Sequence, residues 1–167
     1  NAADPKDGYT ALATAAEEGN IEIVAWLARH GAGIEVTDKD GRTPLFAAAV
    51  AGQAEVVDYL IREAGANSDV TDGSGRHVFW ACCALEQIDA AAALLDATAK
   101  KGLRRIDINA KDLCGLTALD FARQRNLDAV VDFLKARGAL FKTRIVSKRT
   151  QEWELRELDS IINSSSS

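Results

Sequence analysis

A short block recurs four times along the chain: Gly8-Tyr-Thr-Ala-Leu12, Gly41-Arg-Thr-Pro-Leu45, Gly75-Arg-His-Val-Phe79 and Gly115-Leu-Thr-Ala-Leu119. Its glycines stand 33, 34 and 40 residues apart. A period of this length marks one small supersecondary unit, copied and stacked so that each copy buries its apolar side against the next. A stack of like units has a long surface and rarely a deep catalytic pocket. The pattern therefore points first to binding.

The second copy, residues 38–71, is the clearest. Asp38-Lys-Asp-Gly41 is a turn signal, with the glycine supplying the backbone freedom that a tight turn requires. Thr43 can cap a following helix, and Pro44 at its first position loses only an N–H that had no partner. Residues 45–51 make a short helix that Gly52 ends. Ala54 to Arg62 makes a second helix, with Val56, Val57, Leu60 and Ile61 at helical spacing. Asp69-Val-Thr71 leads into the next turn. The unit reads as turn, helix, turn, helix, extended hairpin.

This pattern resembles the ankyrin repeat, carried by Gly41, Thr43, Pro44, Leu45, Ala48, Ala49, Gly52, Val56, Val57, Leu60 and Gly65-Ala66. The first copy matches through Gly8, Thr10, Leu12, Ala15, Ala16, Gly19, Ile23, Val24, Leu27 and Gly31-Ala32. The fourth matches through Asp112, Gly115, Thr117, Leu119, Ala122, Val130, Val131, Leu134 and Gly138-Ala139. The resemblance implies an all-α ankyrin-repeat solenoid of four helix-turn-helix/β-hairpin units over residues 4–140, divided at about 4–37, 38–71, 72–111 and 112–140. A basic connector and C-terminal helix follow over 141–163, with a Ser-rich flexible end at 164–167.

The departures from the pattern are informative. The family's first-helix His is replaced by Ala13, Phe46, Trp80 and Asp120. The third copy is the most degenerate, with His77-Val-Phe79 for Thr-Pro-Leu, Cys82-Cys83 for the paired alanines and Glu86 for the helix-ending glycine. About six extra residues precede its following hairpin, so a locally weaker unit is expected there. Arg123, Gln124 and Arg125 make the outer edge of the fourth copy polar, as a cap requires.

Composition excludes several other functions. Hydrophobic residues make up 47% of the chain, but 30 of the 167 residues are Ala and aromatics are only 6%, so the core is one of closely approaching helices. Residues 1–99 carry 6 Lys/Arg against 16 Asp/Glu, whereas residues 100–167 carry 14 against 9. That distribution is a poor match to nucleic acid, and no nucleic-acid partner is expected. No apolar run reaches the length of a membrane span. Three cysteines, two of them adjacent, argue against a disulfide framework and for a reducing compartment, cytoplasmic or nuclear. The absence of Met, with Asn at position 1, leads to the expectation of a piece of a longer product.

Candidate chemistry is sparse. His30 and His77 have no nucleophile or carboxylate at motif spacing, Cys82 and Cys83 replace small core residues, and Cys114 with the two histidines makes no zinc spacing. No catalytic residue, metal site or cofactor is expected. In ankyrin stacks the partner meets hairpin tips and the exposed side of each first helix. Carried over by position, that surface includes Tyr9, Arg42, Phe46, Arg76, Trp80, Leu85, Leu113, Cys114 and Leu116.

For Leu85, Leu113, Cys114 and Leu116, apolar tips indicate either a contact patch or cover by the neighbouring insertion. For Phe46 and Trp80 the choice lies between an aromatic anchor and packing between repeats. Trp26, Tyr59 and Phe133 read as core. Lys100, Lys101, Arg104 and Arg105 form one basic cluster; Lys142, Arg144, Lys148 and Arg149 form another. The expected function is a monomeric, non-catalytic protein-interaction module. The alternative is the regulatory or targeting domain of a multidomain enzyme or channel.

Overall fold

The computed structural model describes residues 10–103 and 106–139. The expected first hairpin, the connector and C-terminal helix of 141–163 and the Ser-rich end lie outside the described residues. Eight helices appear in pairs among those described: α1 (Ala11–Glu17) with α2 (Ile21–Arg29), α3 (Pro44–Val50) with α4 (Ala54–Arg62), α5 (Val78–Ala84) with α6 (Ile88–Lys101), and α7 (Ala118–Gln124) with α8 (Asp128–Ala136). First helices stack on first helices and second on second: α1 on α3, α3 on α5, α5 on α7, α2 on α4 and α4 on α6. The fold is the all-α repeat stack that the periodicity requires.

Three of the four first helices start at a threonine cap. Thr10, Thr43 and Thr117 accept from the backbone N–H three residues on, at 3.1, 3.2 and 3.1 Å. Thr117 forms a full capping box with Asp120. His77, the degenerate counterpart, makes no side-chain cap bond. Its ring instead lies 3.3 Å from the Asp69 carboxylate.

The hairpins contain no extended ladder among the described residues. They are held by single antiparallel bridges, Thr71 with His77 and Lys111 with Thr117. The tips are built by an aspartate used three times. Asp38 Oδ1 accepts from the N–H groups of Asp40 and Arg42, both at 2.9 Å. Asp72 does the same with Ser74 and Arg76 at 3.0 Å, and Asp112 with Cys114 and Leu116 at 3.0 and 2.8 Å. A side-chain acceptor thus substitutes for strand pairing in fixing the turn.

The turn between paired helices needs a left-handed residue, supplied by Gly19 (φ 76°) and Gly52 (φ 79°). A Cβ on either would run into Gln53 or Gln87 of the next unit, and Gln53 Nε2 donates to the Glu17 carbonyl at 3.0 Å. In the third unit Glu86 takes the same conformation at φ 60°, and the next unit offers Leu127 in place of glutamine. Space is therefore found for a side chain, but the backbone strain of a non-glycine residue remains. Glu86→Gly should raise stability by about 0.5–1 kcal/mol, the strain relief exceeding the added freedom of the unfolded chain. An upward shift of the thermal midpoint is the expected reading.

The extra residues of the third unit lengthen its second helix. α6 has 14 residues against 9 in α2, α4 and α8, and ends at Gly102 in the left-handed region. The added turn carries Lys101 back to α4, where Nζ donates to the carbonyls of Ile61 and Arg62 at 2.8 and 3.0 Å. These are terminal carbonyls without helical partners, and a cation is favoured there. Lys101 therefore caps α4, the second helix of the preceding unit, rather than joining a basic cluster; Arg104 and Arg105 lie outside the described residues.

Candidate interaction surface

The hairpin tips and the exposed edge of the first helices recur from unit to unit along the stack. At the tips, Lys39, Asp40, Gly73 and Leu113 are exposed, with Ser74 and Cys114 half-buried. Along the helices, Val50, Ala51, Ala84, Leu85 and Arg125 are half-buried, and Gln124 is exposed. The middle of this row is made of small apolar side chains, because the large residues of α3 and α5, Leu45, Phe46, Phe79 and Trp80, are buried in the core. Val50 and Ala84 also touch the core. The row offers small apolar side chains, with Lys39 and Asp40 exposed at a tip.

Leu113 is its most prominent member, 77% exposed. A Cβ placed on Gly75 would fall 2.9 Å from Leu113 Cγ, so the leucine leans over the preceding tip, which only glycine leaves flat enough to receive it. Cys114 lies beside it. Leu85 sits at the end of α5 and is half-buried. Tyr9 lies outside the described residues.

Other expected contact residues are placed elsewhere. Phe46 and Trp80 are each only 3% exposed and belong to the continuous core. Trp80 packs on Phe121 of the following unit, with centroids 4.8 Å apart. They are packing between repeats, not an aromatic anchor: the position faces the next unit, and a large ring there fills the gap between first helices. Leu116 is 2% exposed, tucked beneath its own tip rather than projecting from it.

The two tip arginines are turned inward by their own turns. Arg42 Nε meets Asp38 Oδ2 at 2.9 Å, and Arg76 meets Asp72 Oδ2 at 2.9 Å through Nε and 2.7 Å through a terminal nitrogen. Arg76 is 11% exposed and its aspartate 7%, so this pair holds the tip and has little surface to give a partner. The Asp-x-x-x-Arg spacing of 38/42 and 72/76, absent from 112/116, was a signal for this role in the sequence.

Trp26 is the reverse case. Expected in the core, it is 58% exposed and stacks on His30 at 4.0 Å, while Tyr59 and Phe133 at the same register are half-buried against the core. His30 Nδ1 also lies 2.7 Å from the Trp26 carbonyl, so the histidine finishes α2 locally.

Nucleophilic chemistry finds no foothold in the core thiols. Cys82 and Cys83 are buried, and Cys82 Sγ donates to the Ala49 carbonyl at 3.5 Å. Burial pushes the Cys83 thiol up to about 12; burial, then the neighbouring Cys83, pushes Cys82 well above its usual range. A raised thiol pKa leaves little thiolate at neutral pH and more as pH climbs. At pH 8 a thiol reagent should therefore modify Cys114 first, and Cys82 and Cys83 only once denaturant is added. Prompt modification of three thiols in the folded protein would contradict this. Among the described residues no group of His, Cys, Asp and Glu is arranged to hold a metal ion, and no helix is long and apolar enough to cross a membrane.

No curated protein matches the chain significantly. A family model described as ankyrin repeats (3 copies) matches residues 1–72. The helix pairs of residues 78–136 continue the matched units in the same order and on the same core. Ankyrin repeats are generally protein–protein interaction modules, and domains built from them are typically non-catalytic. By its sequence blocks, its paired helices and this match, the chain carries ankyrin repeats.

Proposed function

We propose that this chain binds a partner protein through its hairpin tips and first-helix row, with the third and fourth units supplying the main contact. The observation that carries the reading is Leu113: a large apolar side chain 77% exposed at a tip, next to the half-buried Cys114. A leucine left in water is unremarkable alone. This one stands on a rigid turn, locked by the Asp112 carboxylate and supported from below by Gly75, so little ordering is required on association.

The half-buried Val50, Ala51, Ala84 and Leu85 at the first helices suit a segment bearing small apolar side chains. Leu113→Asp should deplete the captured partner about tenfold in a quantitative pull-down, the equivalent of about 1.4 kcal/mol. Thermal stability should change by less than about 0.5 kcal/mol, because the side chain is exposed. Equal capture by the variant and the parent chain would remove the tip from the binding surface.

A further inference from the structure

The four units can be compared position by position, and the first differs from the rest along one face. Ile23 is 46% exposed, whereas its counterparts Val56, Ala90 and Val130 are 1%, 0% and 0%. Leu27 is half-buried where Leu60, Leu94 and Leu134 are completely covered. On the first helix, Ala11 and Thr14 are exposed, while Pro44, Val78 and Ala118, and then Ala47, Ala81 and Phe121, are buried at those two positions. Ile23 and Leu27 are as apolar as their counterparts, so chemistry does not explain their exposure. What differs is the neighbour: α3 has α1 behind it and α4 has α2, as α5 has α3 and α6 has α4.

The opposite end is made differently. Positions that face the following unit hold Ala13, Phe46 and Trp80, and then Ala16, Ala49 and Cys83, all buried. In the last unit they hold Asp120, half-buried, and Arg123, exposed. Charge at those positions suits a face that meets water, as an end unit requires. At the first unit the corresponding outer face carries Ile23 and, at 58% exposure, Trp26. The stack thus has one end adapted to solvent and one end adapted to a neighbour.

We propose that the face of Ala11, Thr14, Ile23, Trp26 and Leu27 seats a further helix pair of the same design, carried by the same polypeptide ahead of Asn1. The occupant is a pair because the uncovered positions lie on both α1 and α2. It belongs to the same polypeptide because this face continues the interface that joins each unit to the one before it. Ile23 and Trp26 are then interior residues of a longer stack, with the role that Val56 and Tyr59 have here.

Two measurements test this. The transcript should encode, upstream of Asn1, another Gly-x-Thr-x-Leu block whose glycine stands 33 or 34 residues before Gly8, the spacing of the first three copies. A reading frame without such a unit overturns the proposal. Second, a copy of residues 38–71 joined directly before Pro5 should raise the unfolding midpoint by roughly 5–10 °C and move Trp26 emission to shorter wavelength.

Ile23→Asp should abolish that gain in the extended protein yet leave the midpoint of the 167-residue chain unchanged, since Ile23 is already exposed there. No gain from the added unit counts against the seat. A dimer of the 167-residue chain in light scattering that Ile23→Asp dissolves assigns the face to a second copy, and also overturns the proposal.

Discussion

Trp80→Ala is expected to cost about 3–5 kcal/mol, the largest loss of any single truncation in the described stack. Trp80 is 3% exposed and meets Phe121 across the boundary between the third and fourth units, at 4.8 Å. Removing the ring leaves a cavity between two first helices, and the small Ala81 and Ala84 beside it on α5 are too short to close it. In a one-dimensional stack such damage weakens the link between units as well as the unit itself. Urea unfolding should therefore shift to lower midpoint and also broaden, as the fourth unit separates from the first three.

Trp80→Phe should behave differently. The indole Nε1–H is buried without a hydrogen-bond partner, and an unsatisfied buried donor carries a penalty of about 1–3 kcal/mol. Phenylalanine keeps an aromatic surface against Phe121 and deletes that donor, so its cost should fall below about 1.5 kcal/mol. Equal losses for the two variants would mean that aromatic packing against Phe121 is not what holds the boundary.

Asp72→Ala is the second large effect, at about 2–4 kcal/mol. The carboxylate accepts from two backbone N–H groups and pairs with Arg76, and both side chains are almost buried. Its removal strands a guanidinium with 11% exposure and frees the turn. Asp112→Ala loses the same two backbone bonds without stranding a cation, because Leu116 occupies the arginine position. Its cost should be about 1–2 kcal/mol. The difference between the two midpoints isolates the ion pair; identical shifts would show that the backbone bonds alone define the tip.

The parts of the fold legible in the sequence were those that repeat. Thr43 announced its helix, and Thr10 and Thr117 matched it in the repeat, because a cap bond is made within four residues and needs no distant partner. The interchange of Gly19, Gly52 and Glu86 at one position was legible too, and so was the core placement of Cys82 and Cys83. The tips proved harder. Arg42 and Arg76 are charged residues at exposed-looking positions, yet a carboxylate four residues earlier draws each one in. Lys101 looked like part of a basic run; its partners are carbonyls 40 and 39 residues away, which no local pattern records.

By itself the sequence determined the unit, its period and which residues within it are apolar, since those properties follow from local backbone chemistry and helical spacing. Only the tertiary structure decided which apolar residues are covered. Phe46 and Trp80 disappear and Trp26 does not, although all three are large aromatic side chains on a helix of the repeat. The physical reason is that burial in a stack is conferred by the adjoining unit: a side chain at a given register is interior or surface according to what stands next to it.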